Sequence, residues 1–451
     1  MSNSVVVTPE LLARHDRPGP RYTSYPTAVE FTEEFGPAEH AHQLAEAARH
    51  PDERLSLYVH LPFCSARCSF CGCHVVIARR PELGSPYLDR LVDEAALVAD
   101  HLGDRRLLGQ YHWGGGTPTF HSPDELVALH TKLLEHFDIA ADAEVAVEVD
   151  PRETTTEHLE TLRGLGFNRL SMGVQDVDPT VQELIGRHQT WEQTAATHET
   201  ARRLGYDSVN VDLIYGLPGQ DENSFATTLE RIVALGPERL AVYSFAHVPH
   251  IARHQRRIDT GALPDRDTKF ALLAAAIEIL TGAGYVQIGM DHFARPDDDL
   301  ARALDQGTLS RNFMGYSVQR QDDVVALGSS GISDVQGAYA QGHKRMASYY
   351  EAVDAGRLPI QRGVRLTDDD RVRRFVITGL MCTGRVDLAT VGTRFALDPA
   401  VYFESELASL TAPAGPVEEG LVTVDGLVVE ATSLGRLFIR NLAMEFDAYL
   451  A

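Results

Sequence analysis

The sequence predicts an α/β protein built on a partial parallel barrel of six βα units, (β/α)6, with an N-terminal arm before it and a small α+β, winged-helix-like domain after it. Six apolar, β-branched runs recur through the middle of the chain, each pair separated by about 20 to 50 residues that contain an amphipathic helical stretch. Residues with chemistry to offer fall at or near the carboxyl ends of those runs, where parallel α/β folds place their ligands. From about residue 346 the pattern changes to helices followed by a hairpin.

Taken in order, residues 1–53 form the arm, 54–345 the barrel with an extension, and 346–451 the C-terminal domain. The barrel strands are expected at 55–60 (L-S-L-Y-V-H), 110–113 (Q-Y-H-W), 144–149 (E-V-A-V-E-V), 169–174 (R-L-S-M-G-V), 208–215 (S-V-N-V-D-L-I-Y) and 239–245 (R-L-A-V-Y-S-F). Between the first two, P-Y-L-D-R-L-V-D-E-A-A-L-V-A-D has helical periodicity. Residues 286–333 extend the barrel rather than begin a new domain. In the C-terminal part, Thr367 is a candidate N-cap for L-T-D-D-D-R-V-R-R-F-V-I-T-G-L-M, Asp425-Gly426 marks a hairpin turn, and Thr432 can start the closing helix.

With 451 residues, 44% hydrophobic and 23% charged, the composition is that of an ordinary globular protein. No apolar stretch reaches the length of a membrane span, and the opening M-S-N-S-V-V-V-T-P-E has neither a basic start nor an apolar core, so a reduced cytoplasmic compartment is expected. A monomer is the expected oligomeric state. A net charge of -23 argues against broad nucleic-acid binding, which needs a positive field. A small anionic substrate is still compatible, provided a few arginines gather locally.

Four of the five cysteines, Cys64, Cys68, Cys71 and Cys73, lie within ten residues in the spacing C-x3-C-x2-C-x-C. Three thiolates from a short loop can hold three corners of a 4Fe-4S cluster and leave the fourth iron open to a non-protein ligand. Zinc would want a second cysteine pair at a distance, and none is present. A chain long enough to bury a full core has no need of a disulfide framework. Cys382, in V-I-T-G-L-M-C, reads as a small buried core residue.

At the other strand ends stand Gly114, Gly115, Gly116 and Thr117 in G-G-G-T-P-T, then Glu148, Gln175, Asp212 and Ala246, with Arg187 following in I-G-R-H-Q-T. Three glycines let a backbone approach a ligand with no Cβ in the way. Glu148 and Asp212 offer carboxyl groups there, Gln175 an amide and Arg187 a guanidinium.

The cysteine triplet, with Phe70 before its third member, resembles the radical S-adenosylmethionine (SAM) superfamily, so Cys64, Cys68 and Cys71 would be the iron ligands. Across nearly its whole length the chain is similar to the oxygen-independent coproporphyrinogen III oxidase family. The resemblance rests on R-P-G-P-R-Y-T-S-Y-P-T-A (Arg17 to Ala28), L-Y-V-H-L-P-F-C, H-W-G-G-G-T-P-T, E-V-D-P-R-E, G-F-N-R-L-S-M-G-V-Q-D, D-L-I-Y-G-L-P and G-M-D-H-F-A-R-P-D-D. It implies a radical SAM barrel, a 4Fe-4S cluster and two SAM molecules per chain. The implied reaction makes vinyl groups from two propionates of coproporphyrinogen III, using 5'-deoxyadenosyl radicals. A low-potential electron donor is also implied. The glycine segment would contact the methionyl part of SAM, Glu148 its ammonium, Arg187 its carboxylate, and Gln175 and Asp212 its ribose; Tyr58 would lie beside it, and Arg21 with Tyr22 would handle a tetrapyrrole bearing anionic propionates. Phe313 and Ile332 would meet the second SAM.

The chain departs from the family at Met314, where relatives commonly carry glutamine, and at His74 and Val75, where Asn-Lys is frequent. Two other functions remain compatible with this scaffold: a paralogue acting on another carboxylated substrate, supported by Met314 and His74, and a non-decarboxylating heme chaperone. Against the chaperone stand Cys73, usually an aromatic there, and the long arm.

Overall fold

The structure, a computed structural model, describes residues 9–15, 17, 19–318 and 323–450. Residues 1–8, on which the reading of the chain's opening partly rests, lie outside them, as does Pro18 in the arm motif.

Twelve strands form one sheet: β1 (Leu55–Leu61), β2 (Leu107–Gly115), β3 (Asp138–Val149), β4 (Arg169–Gln175), β5 (Ser208–Tyr215), β6 (Arg239–Ser244), β7 (Val286–Ile288), β8 (His292–Ala294), β9 (Val324–Leu327), β10 (Ile332–Val335), β11 (Ala338–Gly342) and β12 (Ile360–Arg365). Their order is β12-β11-β10-β9-β1-β2-β3-β4-β5-β6-β8-β7. The run from β9 through β1 to β6 is parallel throughout, and the strands flanking it pair antiparallel. The six expected strands are therefore joined by a seventh parallel one, β9, which the extension supplies.

β1 is buried on both faces along nearly all its length, as expected of a strand covered by crossover helices. Those helices start where the sequence caps them. Ser122, Thr155, Thr190 and Asp221 each accept a hydrogen bond from the backbone N–H three residues on. The core beneath is aromatic at β2, where Trp113 and Phe167 pack edge to face at 4.9 Å.

The seventh strand is secured at its start by a buried charge pair. Arg105, fully enclosed, donates to Asp323 and to the carbonyls of Glu53 (3.0 Å) and Ala47 (3.2 Å). Asp323 also accepts from the Gln336 N–H at 2.6 Å, and its carbonyl accepts from Ser56 at the head of β1.

The main sheet continues through Arg365, beyond residue 346 where the sequence pattern changes, because β12 pairs with β11. A helix, Asp368–Thr383, follows, capped by Thr367 and ended by Gly384 at φ 73°. Strands β13 (Arg385–Asp387), β14 (Val422–Asp425) and β15 (Val428–Ala431) make a small sheet in the order β13-β15-β14, and Thr432 caps the closing turn of helix. Tyr22 and Tyr25 of the arm are buried in the core of this C-terminal part, alongside Val376, Leu380, Phe403 and Phe446. The arm thus ties the C-terminal domain to the barrel mouth.

Candidate active site

β1 delivers the chain to the cysteine loop, which closes where Phe63–Cys64 pairs with Val76–Ile77. Backbone contacts pin the loop from several sides: Ser69 N–H donates to Ile185 O at 2.9 Å, Gln255 Nε2 to Phe70 O at 3.2 Å, and His254 Nε2 lies 2.7 Å from Cys71 O. Phe70 packs on Val181, Ile185, Leu217 and Phe245, an apolar cover for the loop. Cys68 is buried, Cys64 and Cys71 are half-buried, and Cys73 is exposed.

The sulfurs are already polarised. Cys68 Sγ accepts from Arg152 Nη2 at 3.6 Å and Arg187 Nη1 at 3.8 Å, while Cys64 Sγ lies 3.5 Å from Thr117 Oγ1. Burial pushes the Cys64 thiol up to about 11. A hydrogen bond between Cys71 and Cys73 draws the Cys71 thiol down and drives that of Cys73 up. Among the described residues no three such side chains converge on a single ion. A cube of four irons spaces its ligands more widely than one ion does, and three thiols on one loop beside two guanidinium groups and an apolar cover fit that group.

One βα unit on, the glycines Gly114, Gly115 and Gly116 pack tightly against protein on the side a Cβ would occupy. A Cβ on Gly114 would stand 2.7 Å from the Glu148 carboxyl, on Gly115 2.5 Å from the His60 ring, and on Gly116 2.6 Å from the Pro62–Phe63 backbone. The space is filled by protein, so these glycines let the end of β2 pack against the end of β1 and against Glu148. Gly115, at φ 117°, also turns its N–H to Glu148 Oε2 at 3.0 Å.

Glu148 faces the barrel interior with 41% of its side chain open, and His112 Nε2 lies 3.3 Å from it. Burial raises its affinity for a proton, but His112 and the Gly115 N–H outweigh this and hold it below the usual range, ionised. Tyr58 stacks on His112 at 5.7 Å, and its hydroxyl lies 3.1 Å from His60 Nδ1. His60 Nε2 meets the His74 carbonyl at 3.1 Å, an oxygen that only accepts, so Nε2 carries the proton and Nδ1 accepts from Tyr58. Burial pulls His60 down to about 4, keeping it neutral.

Gln175 sits at the end of β4 in the left-handed region, φ 72°, where the register shifts against β5. Arg187 is buried and held by Gly173 O (2.6 Å), Gln189 (3.0 Å) and Asp150 (3.3 Å). Asp212 accepts from Asn210 at 2.8 Å and Ser171 at 3.4 Å; burial, then the charge of Glu148, pushes it up to about 7. Ala246 is exposed just past β6, its carbonyl bonded to Gln255 Nε2 at 3.1 Å.

Arg21 reaches the barrel from the arm. It pairs with Asp291 and lies over the Tyr243 ring, 5.1 Å from its centre. Arg311, almost wholly buried, approaches the same carboxylate at 4.0 Å and covers Tyr316. Asp291 is buried, which would favour a proton, yet His292 and the two arginines keep it strongly acidic. Phe313 and Ile332 come together against Phe31, Tyr339 and Leu366. Met314 instead lines a barrel cavity of about 130 Å³ with Glu148, Asp212 and Tyr243. A larger cleft of about 1260 Å³ lies by the C-terminal domain, lined by Arg371, Arg374 and Phe375, and is not walled by the cysteine loop.

The segment 328–333 is held from behind. Glu94 accepts from Gly328 N–H at 2.7 Å, and Tyr87 bridges Ser329 N–H to His60 O. Sequence reasoning missed His60, His112, Asp150, Arg152, Asp291 and Arg311. Asp150 and Arg152 stood in the quoted motif E-V-D-P-R-E and Asp291 in G-M-D-H-F, but nothing in the spacing showed that they meet the cysteines or Arg21.

A cysteine loop at the head of a parallel barrel, flanked by this glycine turn and an ionised glutamate, defines the radical SAM class. A profile of the Radical SAM superfamily matches residues 58–232, and one of the HemN C-terminal domain matches residues 366–438. The chain is 46% identical over 440 residues to an oxygen-independent coproporphyrinogen III oxidase of Escherichia coli K12, covering 98% of this chain and 95% of that one. To a Pseudomonas aeruginosa protein of the same name it is 44% identical over 445 residues, covering 98% and 95%. The solved structure of coproporphyrinogen III oxidase (HemN) from Escherichia coli, a radical SAM enzyme, superposes with a TM-score of 0.91 at 45% identity over 95% of this chain and 97% of that one. The chain belongs to the oxygen-independent coproporphyrinogen III oxidase family.

Proposed function

We propose that this chain decarboxylates two propionates of coproporphyrinogen III to vinyl groups without oxygen, giving protoporphyrinogen IX in heme biosynthesis. The proposal includes Cys64, Cys68 and Cys71 as cluster ligands, two SAM molecules per chain, and action as a cytoplasmic monomer. The observation that supports it best is the meeting of two systems in one barrel mouth: a cysteine loop beside ionised Glu148, and an arm that carries Arg21 onto β6 and β8.

When bound, the cluster and SAM supply one-electron cleavage and a radical able to take hydrogen from a propionate side chain. The chain's own residues orient and shield. Glu148 receives the ammonium of SAM, since it is ionised and open to the interior. Asp212, near neutrality in its titration, and Gln175 offer hydrogen bonds to a ribose. Arg187 supports the loop through Cys68 and lies within reach of a carboxylate. Gly114, Gly115, Gly116, Thr117 and Ala246 shape the wall around it, and Tyr58, through His60, holds the His74 side of the loop. Arg21 meets a propionate by leaving or sharing Asp291, so Arg311 keeps that carboxylate compensated. Phe313 and Ile332 give an apolar surface to the second SAM.

Anaerobic incubation of the reconstituted protein with coproporphyrinogen III, SAM and dithionite should give protoporphyrinogen IX, and equilibrium binding should give two SAM per chain. Porphyrinogen recovered unchanged while SAM is still cleaved would favour the paralogue. No cleavage at all, with the cluster present, would favour the chaperone.

A further inference from the structure

The two segments that enclose the cysteine loop, residues 60–81 and 245–258, contain no aspartate or glutamate, although 64 of the 451 residues are acidic. Each instead supplies three arginines: Arg67, Arg79 and Arg80 from the first, Arg253, Arg256 and Arg257 from the second. All six are exposed, and among the described residues none is ion-paired with a carboxylate. Their recorded bonds are to backbone, Arg67 to Val75 O at 3.0 Å and Arg256 to Pro249 O at 3.2 Å. The two segments form one surface, because His254 and Gln255 bond the carbonyls of Cys71 and Phe70. Apolar tips rise within it, Ile251 at 76% exposed and Ile77 at 39%.

Six exposed arginines free of carboxylate partners make a local positive field on a protein of charge -23, and such a field steers an anionic partner to this face. Exposed apolar side chains ringed by cations suit a protein partner better than a small anion. The surface also covers the backbone of the residues that hold the cluster, the one group here that must take an electron from outside.

We propose that residues 60–81 and 245–258 form the docking surface for an acidic, low-potential electron-carrier protein. This rests on the assignment of the cluster to Cys64, Cys68 and Cys71. The transfer is of one electron: the reduced carrier is oxidised by one electron and the cluster gains it, with no bond made or broken in this chain. Salt screens the remainder of the acidic surface within about 8 Å at physiological ionic strength, so a docked carrier feels chiefly the local arginines. Binding is therefore salt-sensitive and brief, as turnover requires.

The test separates carrier binding from chemistry. The full-length protein, free of cluster, is titrated with a purified acidic flavoprotein electron carrier at low and at raised salt. Arg253→Glu/Arg256→Glu/Arg257→Glu, and independently Arg79→Glu/Arg80→Glu, should each weaken binding about tenfold or more, as raised salt should in the unmodified protein. In reconstituted protein the same variants should slow carrier-driven SAM cleavage by a similar factor, while dithionite-driven cleavage and the KM for porphyrinogen hold. Unchanged carrier affinity in both variants would overturn the proposal, as would a raised porphyrinogen KM with carrier binding intact, which would assign the surface to substrate. Failure of the unmodified protein to cleave SAM with dithionite would sink the cluster assignment instead, and the cluster-free titration reads the surface separately from that.

Discussion

At Asp212 the barrel interior has changed what a carboxyl group does. An unfolded aspartate titrates near ~3.9, whereas burial and then the charge of Glu148 raise this one to about 7. Between those values the folded chain keeps a proton that the unfolded chain releases, so stability falls as pH rises through this window and levels off above it. Asp212→Asn, which stays neutral, should match the unmodified protein in Tm near pH 4 and exceed it by a growing margin up to about pH 7. Thermal unfolding of the cluster-free protein across pH reads this directly, and a margin that stays flat or shrinks would refute the shift. The sequence placed Asp212 in the right strand, because the run N-V-D-L-I-Y breaks sharply at G-L-P-G, although the residue lies inside β5 rather than at its carboxyl end. It could not show the proton, because the raised value depends on Glu148, which lies two strands away in the sheet.

Elements show the same division between what is local and what is distant. Runs such as S-V-N-V-D-L-I-Y predicted β5 to the residue, since a strand covered on both faces reads as continuous β-branched sequence. V-V-A-L of β9 has only four residues, too few to separate a strand from a piece of helix, so the seventh parallel strand went unread. What fixes it is remote in sequence, Arg105 meeting Asp323 with both side chains sealed from solvent. Removing one partner of such a pair strands the other charge, at a cost of about 3–5 kcal/mol. Arg105→Met should lower denaturant stability by about that amount, with Asp323→Asn in the same background recovering part of it. A loss below about 1 kcal/mol, the range of a surface pair, would mean that water reaches Asp323.

At the scale of the whole molecule, the first and last segments of the chain work as one part. The family resemblance marked the arm from Arg17 to Ala28 as important, but its anchorage was not legible, because the groups that hold it lie far along the chain. Tyr22 donates to Asp447 at 2.7 Å, Ala448 N–H donates to the Tyr25 hydroxyl at 3.0 Å, and Tyr449 reaches back to Asp370 at 2.9 Å. Arg21, next to Tyr22, lies against Asp291 and Tyr243, and that anchorage places it together with the bond from Arg311 Nη2 to the Arg21 carbonyl at 3.4 Å. The cysteine loop draws its own support from β1, from Ile185 beyond β4 and from the 245–258 segment, and among the described residues no bond joins it to residues 447–450. A chain ending at Phe446 should therefore keep its cluster absorption and its slow, substrate-free cleavage of SAM, yet lose porphyrinogen turnover by about tenfold or more, the effect of misplacing a positioning group. Asp447→Ala, which removes one bond of the three, should give a smaller loss in the same direction. Equal loss of SAM cleavage and porphyrinogen turnover in both variants, with the fold intact by circular dichroism, would show that the arm supports the whole barrel rather than the placement of Arg21.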